Sequence, residues 1–310
     1  MANARRFRFG VVLRAALSGA EWAEQARRLE GLGFDVLLVS DHLVGPRLAP
    51  LAALAAAAAA TTSLRVGTLV LANDFRHPAV LAKEAATLDL LSGGRLELGI
   101  GAGWMRADYA QAGLRYDPPA VRIERLGESL QILKGLWSEG PFSFAGRYYA
   151  IEAAQQEPKP VQRPHPPILI GGGGPAILRL AARAADGVNL TLRTRPDGSG
   201  PDPQDVGLAP LLRKLAILRE AAGPRWERLE IGTSVWGLAV GSDTAAVRSA
   251  FLAGFAPAMA ETPNVLAGEA TAIVDKLQRW RAEHAVSTYV LQDEAFVDAF
   301  APIVARLAGT

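Results

Sequence analysis

"VLLVSDHLVG", residues 36–45, runs four apolar residues straight into Ser40, Asp41 and His42. A strand that is apolar without polar alternation is covered on both faces, as parallel strands are when helices pack against them. Ending such a strand in an acid and an imidazole places two hydrogen-bonding groups at one end of a sheet. The bland reading makes Asp41 a helix cap and packs His42 into the rim.

The same kind of run recurs along the chain: "FGVVL" (9–13), "RVGTLVL" (65–71), "LELGI" (96–100), "ILIGG" (168–172), "GVNLTL" (187–192), "LEIGTSVWGLAV" (229–240) and "TYVLQ" (288–292). Helical patterns lie between them. "EWAEQARRLEGLG" has Gly31 or Gly33 as its stop, and Ile123, Leu126, Leu130, Leu133 and Trp137 share one helical face. Eight such strands alternating with helices predict a (β/α)8 TIM barrel forming a single domain over residues 1–310. An open doubly wound sheet is the alternative, but it would not need eight similar units. Two insertions interrupt the alternation, one after strand four and one after strand six. The first holds a small hairpin, "FSFAGRYYAIE" (142–152), turning at Gly146, and the second is the polar loop "TRPDGSGPDPQDVG" (194–207).

Composition narrows the chemistry. Of 310 residues half are hydrophobic, and 33 basic against 31 acidic residues leave a net charge of +2 with no long basic run, so nucleic acid is not an expected partner. The absence of cysteine excludes disulfides, thiolate metal sites and cysteine nucleophiles. His42, His77, His165 and His284 show no metal-ligand spacing, so no metal is expected. "MANARRFRFG" lacks the apolar stretch of a signal sequence, and "APLAALAAAAAATT" (49–62) is too short to span a bilayer. The expectation is a cytoplasmic protein away from membranes.

In a barrel, chemistry collects where strands end and helices begin. Those ends carry Asp41-His42, then Asn73 with Arg76 and His77, then Gly101-Ala102-Gly103-Trp104, then Gly171 to Gly174. Arg76 or His77 could meet a ligand or merely brace a loop. "GIGAGW" (99–104) lets the backbone approach a flat ring, but lacks the third glycine and the acid of a dinucleotide fingerprint. The four glycines before Pro175 present main-chain N–H groups at the start of a helix, a geometry suited to phosphate. Four successive glycines would be a costly surplus for a mere tight turn.

The ordered series "GFDVLLVSDHL", "LRVGTLVLANDFRHP", "SGGRLELGIGAGWMRADYAQAG", "RIERLGESLQILKGLWS", "GRYYAI", "PKPVQRPHPPILIGGGG" and "AARAADGVNL" resembles the bacterial-luciferase-like flavin/deazaflavin oxidoreductases, within them the F420-dependent class. The resemblance implies catalytic roles for His42 and Asp41. It implies a non-proline cis peptide at Leu69–Val70 behind the coenzyme ring. Leu69, Val70, Asn73, Gly101, Ala102, Gly103 and Gly171, Gly172, Gly173 and Gly174 would bind coenzyme, with Trp104, Arg76 and His77 in the substrate pocket. One departure stands out. Sugar-phosphate dehydrogenases of this class carry a Glu at the position of Trp104, which disfavours sugar-phosphate oxidation here and suits an aromatic wall for a flat substrate.

The resemblance thus implies hydride transfer between F420 and an organic substrate, with a proton supplied by His42 or water. The alternative is an FMN-dependent monooxygenase working with a separate flavin reductase. A third reading, a non-catalytic flavin-binding barrel, fits poorly with the polar set Asp41, His42, Asn73 and Arg76. A homodimer is the expected assembly, with the alanine face over Ala52 to Ala60 packing against a second copy.

Overall fold

A computed structural model of the chain describes residues 5–241 and 257–310. In chain order the first half comprises β1 (Arg8–Leu13), α1 (Gly19–Gly31), β2 (Val36–Val39), α2 (Pro50–Ala60), β3 (Arg65–Thr68), β4 (Leu71–Ala72), α3 (Pro78–Leu91), β5 (Leu96–Gly101), α4 (Arg106–Ala112) and α5 (Pro119–Trp137). There follow β6 (Phe142–Ala145), β7 (Ala150–Ala154), β8 (Ile168–Gly172), α6 (Pro175–Ala184), β9 (Gly187–Leu190), α7 (Leu208–Ala222), β10 (Glu230–Val235), β11 (Gly237–Val240), β12 (Val265–Gly268), α8 (Ala270–His284), β13 (Val286–Leu291) and α9 (Val297–Leu307).

Neighbours run β3-β2-β1-β13-β10-β9-β8-β5-β4, and β3 also pairs with β5, which closes the ring. Every pairing in it is parallel. Because β3 and β4 are two halves of one position, this is the eight-stranded (β/α)8 barrel that the alternation predicted.

Two of the runs are not continuous strands. Residues 65–71 break at a cis Leu69–Val70 peptide, the position expected from the resemblance. The run 229–240 breaks at Trp236, whose N–H donates to the Asn264 carbonyl at 2.8 Å. Beyond that break β11 leaves the barrel and pairs with β12. The first insertion also divides: residues 102–118 with α4 follow strand four directly, whereas the β6–β7 hairpin comes after α5. Glu128 of α5 fixes its turn by accepting from the N–H groups of Arg147, Tyr148 and Tyr149.

Alternation along each strand sorts side chains between two cores. Phe9, Val11 and Leu13, Leu37 and Val39, and Leu96, Leu98 and Ile100 face the helices, where Leu126, Leu130, Leu133 and Trp137 of α5 meet them. Each fully buried side chain of this kind is worth roughly 1.5–3 kcal/mol. The intervening positions fill the barrel. Its N-terminal end is plugged by charge: Glu97 takes both Arg8 and Arg65, and Arg8 also pairs with Glu230 at 2.9 Å. Above that plug sit Val12, Val36, Leu38 and Val290. Leu38 fits because Gly10 and Gly67 face it; a Cβ on either would lie 3.1 or 3.0 Å from its methyls.

On α2, Ala53, Leu54, Ala57 and Ala58 are buried in the chain's own core, and only Ala52, Ala56 and Ala59 are exposed. Among the described residues, no helix is long and apolar enough to cross a membrane.

Candidate active site

A cavity of about 710 Å³ opens at the end of the barrel where the strands finish. Its wall includes Asp41, His42, Leu69, Val70, Gly101, Ala102, Gly103, Trp104 and Gly171 to Gly174. Residues from four different strand ends are thus brought together, and the distant motifs of the sequence become one site.

His42 is held on two sides. Its Nδ1 lies 2.7 Å from Oδ2 of Asp108, and its ring meets Trp104 edge-on at 5.8 Å between centroids. Oδ1 of Asp108 accepts from the N–H groups of Leu43 and Val44, both at 2.9 Å. With Nδ1 so engaged, Nε2 is left to the cavity. Asp41 turns elsewhere. Its Oδ2 takes Arg76 at 2.5 Å and the Ala72 N–H at 3.1 Å, and Oδ1 takes Arg76 at 3.2 Å. It fastens the chain just beyond the Leu69–Val70 break.

Three expected site residues do not line the cavity. Arg76 is drawn away by Asp41. His77 is exposed and caps α3, its Nδ1 accepting from the Ala79 N–H at 3.2 Å. Asn73 is buried and donates to the Tyr149 hydroxyl at 3.4 Å. Their polarity serves the turn after strand three, the bracing role left open for Arg76 and His77.

Around the Leu69–Val70 break the wall is apolar. A Cβ on Gly101 would come within 2.9 Å of Val70, and one on Gly171 within 3.0 Å, so both glycines let the Val70 side chain lie close to the strands. Gly103 is required for a second reason: its φ of +74° is left-handed, and a Cβ there would strike the Tyr109 hydroxyl at 2.0 Å. Arg122 of α5, buried, binds the Gly103 carbonyl and braces this segment.

Gly171 to Gly174 lead into α6 with Pro175 as its first residue, so the N–H groups of the first helical turn have no partner within the helix. Over this cradle folds the second insertion. Arg193 and Arg195 line the cavity, and the Arg106 N–H reaches the Gly198 carbonyl across the mouth at 3.4 Å. Lys214 of α7, buried, holds the base of the loop through Asp205 and the Thr191 carbonyl.

Strands six, seven and eight contribute a polar arc. Asn189 and Gln292 both donate to the Ser234 hydroxyl, at 3.2 and 3.0 Å. The Asn189 Oδ1 is buried, and no donor among the described residues reaches it. A buried acceptor without a partner, on a residue of the cavity wall, is what a ligand N–H would satisfy. Sequence reasoning missed Asn189, Asp108 and Arg122. The polar Asn inside "GVNLTL" was a visible cue; Asp108 and Arg122 carried none, because helix residues gain their roles only through packing.

A closed parallel barrel with a glycine-walled cleft of this size at the ends of its strands is the scaffold of an enzyme that works through a bulky bound coenzyme. The chain belongs to the luciferase-like monooxygenase family, whose profile matches residues 7–306. It is similar to an F420-dependent glucose-6-phosphate dehydrogenase of Nakamurella multipartita, 33% identical over 301 residues that cover 93% of this chain and 84% of the relative. The enzyme of that description from Amycolatopsis mediterranei is 38% identical, over 54% of this chain and about half (52%) of the relative. Among solved structures, an F420-dependent secondary alcohol dehydrogenase in complex with an F420-acetone adduct shares the fold, with a TM-score of 0.76 at 22% identity over 98% of this chain and 99% of the other.

Proposed function

We propose that the protein is an F420-dependent oxidoreductase that moves a hydride between the deazaflavin and an organic substrate. One observation carries the reading: a single cavity is lined both by Gly171 to Gly174, where β8 ends and α6 begins, and by an imidazole that Asp108 holds. The F420 names of the relatives over most of this chain support the choice of coenzyme.

The residues present fit that group. The unpartnered Oδ1 of Asn189 would accept from a ring N–H, and Leu69, Val70, Gly101 and Gly171 offer an apolar surface. Gly171 to Gly174 and the start of α6, with Arg195 beside them, would hold the phosphate-bearing chain. F420 supplies a two-electron hydride carrier when bound.

The protein's own residues do the rest. The 191–207 loop excludes water from the mouth. Asp108 holds His42 with a proton on Nδ1, so Nε2 accepts a proton from a substrate hydroxyl or, once protonated, returns it to a carbonyl oxygen. Asp41 is a positioning residue for the Leu69–Val70 segment through Ala72 and Arg76. Trp104 gives the substrate an aromatic wall in place of the carboxyl of sugar-phosphate dehydrogenases.

Fluorescence titration of the purified protein with F420 and with FMN tests the coenzyme. F420 binding, followed by bleaching of its absorbance with an alcohol or of the reduced form with an enone, is the expected result. Tight FMN binding without F420 binding, with oxygen uptake on adding reduced FMN, would reject it.

A further inference from the structure

Among the described residues, five arginines line the cavity, Arg14, Arg47, Arg122, Arg193 and Arg195, against the carboxylates of Asp41 and Asp108. Both carboxylates are already taken, by Arg76 and by His42 with two main-chain N–H groups. Arg122 is spent on the carbonyls of Ala102 and Gly103, and Arg193 on Asp202. Arg195 stands on the loop that covers the glycine cradle. Arg14 and Arg47 remain, and neither forms an ion pair with any of the described residues.

Position separates this pair from the cradle. Arg14 follows β1 and Arg47 follows β2, and β8, which carries the glycines, is four strands from β1 in either direction round the ring. The two arginines therefore stand across the cavity from the cradle. They are side by side: the Leu48 N–H donates to the Arg14 carbonyl at 3.2 Å, and burial together with the Arg14 charge holds the Arg47 guanidinium pKa below its ordinary value against an opposing pull from Asp108. Each is aimed by one neutral bond, Arg14 to the Gln292 carbonyl at 2.7 Å and Arg47 to the Ser40 hydroxyl at 3.0 Å. These bonds leave other N–H groups of both forks unused. The same cavity wall carries the apolar side chains of Val12, Phe75, Met105 and Trp104.

From this arrangement we infer that Arg14 and Arg47 form an oxyanion subsite for the substrate, which is an organic acid with a flat apolar body. Its carboxylate sits between the two guanidiniums and its reacting carbon lies toward His42. An oxyanion placed there relieves the repulsion between two like charges and takes two forked donors at once. The inference rests on the coenzyme reading above, because it assigns the cradle to the coenzyme and the opposite wall to the substrate. The oxyanion could also come from the coenzyme's own tail, and the experiment separates the two sources.

Calorimetric titrations with cinnamate and benzoate, each against its uncharged amide, are made on the protein with and without F420 and on the Arg14→Gln/Arg47→Gln variant. The acids are expected to bind the wild type at least tenfold more tightly than the amides. That preference disappears in the variant, whose melting temperature and F420 affinity (within twofold) are retained. Equal or absent binding of acid and amide, or a preference that survives in the variant, overturns the subsite. A tenfold loss of F420 affinity in the variant, with no loss for a deazaflavin lacking the phosphate-bearing chain, assigns the pair to the coenzyme and also overturns it. Failure of the wild type to bind F420 while the acids are still selected through the pair defeats the coenzyme reading and leaves the subsite standing.

Discussion

Nδ1 of His42 lies 2.7 Å from Oδ2 of Asp108, an acid from the helix beyond strand four holding an imidazole from the end of strand two. Asp108 is 2% exposed, and its second oxygen is satisfied by two main-chain N–H groups, so it cannot swing away without stranding them. Replacing Asp108 with Asn keeps the shape, but its amide nitrogen can present a donor to Nδ1 and favour the wrong tautomer. Asp108→Asn is expected to lower kcat about 10–100-fold while F420 affinity changes less than twofold. His42→Ala should cost turnover more still, again with little loss of coenzyme binding. Parallel losses of kcat and affinity in either variant would make the pair structural.

How far the sequence could be read follows the same division between strand and helix. Strand positions are local: uninterrupted apolar runs mark eight barrel positions and put Asp41-His42 and the four glycines at strand ends, because each needs only its neighbours to be recognised. Asp108 and Arg122 are long-range. They sit on helices whose faces could be assigned but whose reach depends on how α4 and α5 dock. Arg76 and His77 lie outside the cavity for a related reason. A polar residue at a strand end is a site candidate only if nothing nearer claims it, and Asp41 and the start of α3 claim these two. The break at Trp236 was equally hidden, since an apolar run does not reveal where its partner changes from β13 to β12.

The glycines of the cradle are not equivalent. A Cβ at Gly173 would lie 2.4 Å from the Thr191 carbonyl oxygen and 2.7 Å from the Arg193 nitrogen, both rigid backbone, whereas at Gly174 nothing lies within 4 Å. Gly173→Ala therefore pushes the base of the 191–207 loop away from the cradle. It is expected to weaken F420 binding tenfold or more and to lower stability by about 1–3 kcal/mol. Gly174→Ala, at φ −85°, should leave the melting temperature within a degree or two. The contrast, read by thermal melting and fluorescence titration, fails if the two variants behave alike.

The covering loop depends on one buried amine. Lys214 reaches Asp205 and the Thr191 carbonyl from α7, and burial pushes its pKa down while Asp205 opposes that. Lys214→Met leaves the Asp205 carboxylate without its cation, a loss on the order of 3–5 kcal/mol for a buried pair. Cleavage of the 194–201 segment by a dilute protease should then accelerate. Adding Asp205→Asn removes the stranded charge and should recover part of the loss. A double variant no more resistant than Lys214→Met alone would show that the charge is not what matters.

Acid sensitivity follows where a carboxylate gathers main-chain donors. Glu30, near the end of α1, accepts from the N–H groups of Thr62, Ser63 and Leu64 at 2.8, 2.6 and 3.0 Å and from the Ser63 hydroxyl at 2.9 Å. These bonds, the Ser63 N–H foremost, bring its pKa from the ordinary 4.5 down to about 2, against a smaller opposing effect of burial. A depressed folded-state value means that protonation favours the unfolded chain. The contribution is therefore complete above about pH 4.5 and is lost as the pH falls through 2. Glu30→Gln keeps an acceptor but not the charge. At neutral pH it should lower unfolding stability by about 1 kcal/mol, a small figure because water screens this partly exposed site. Urea unfolding of both proteins at a series of pH values checks the sign: the gap between them narrows on acidification below pH 4.5. A gap that stays constant down to pH 2 would assign the effect to packing of the α2–β3 loop rather than to the charge.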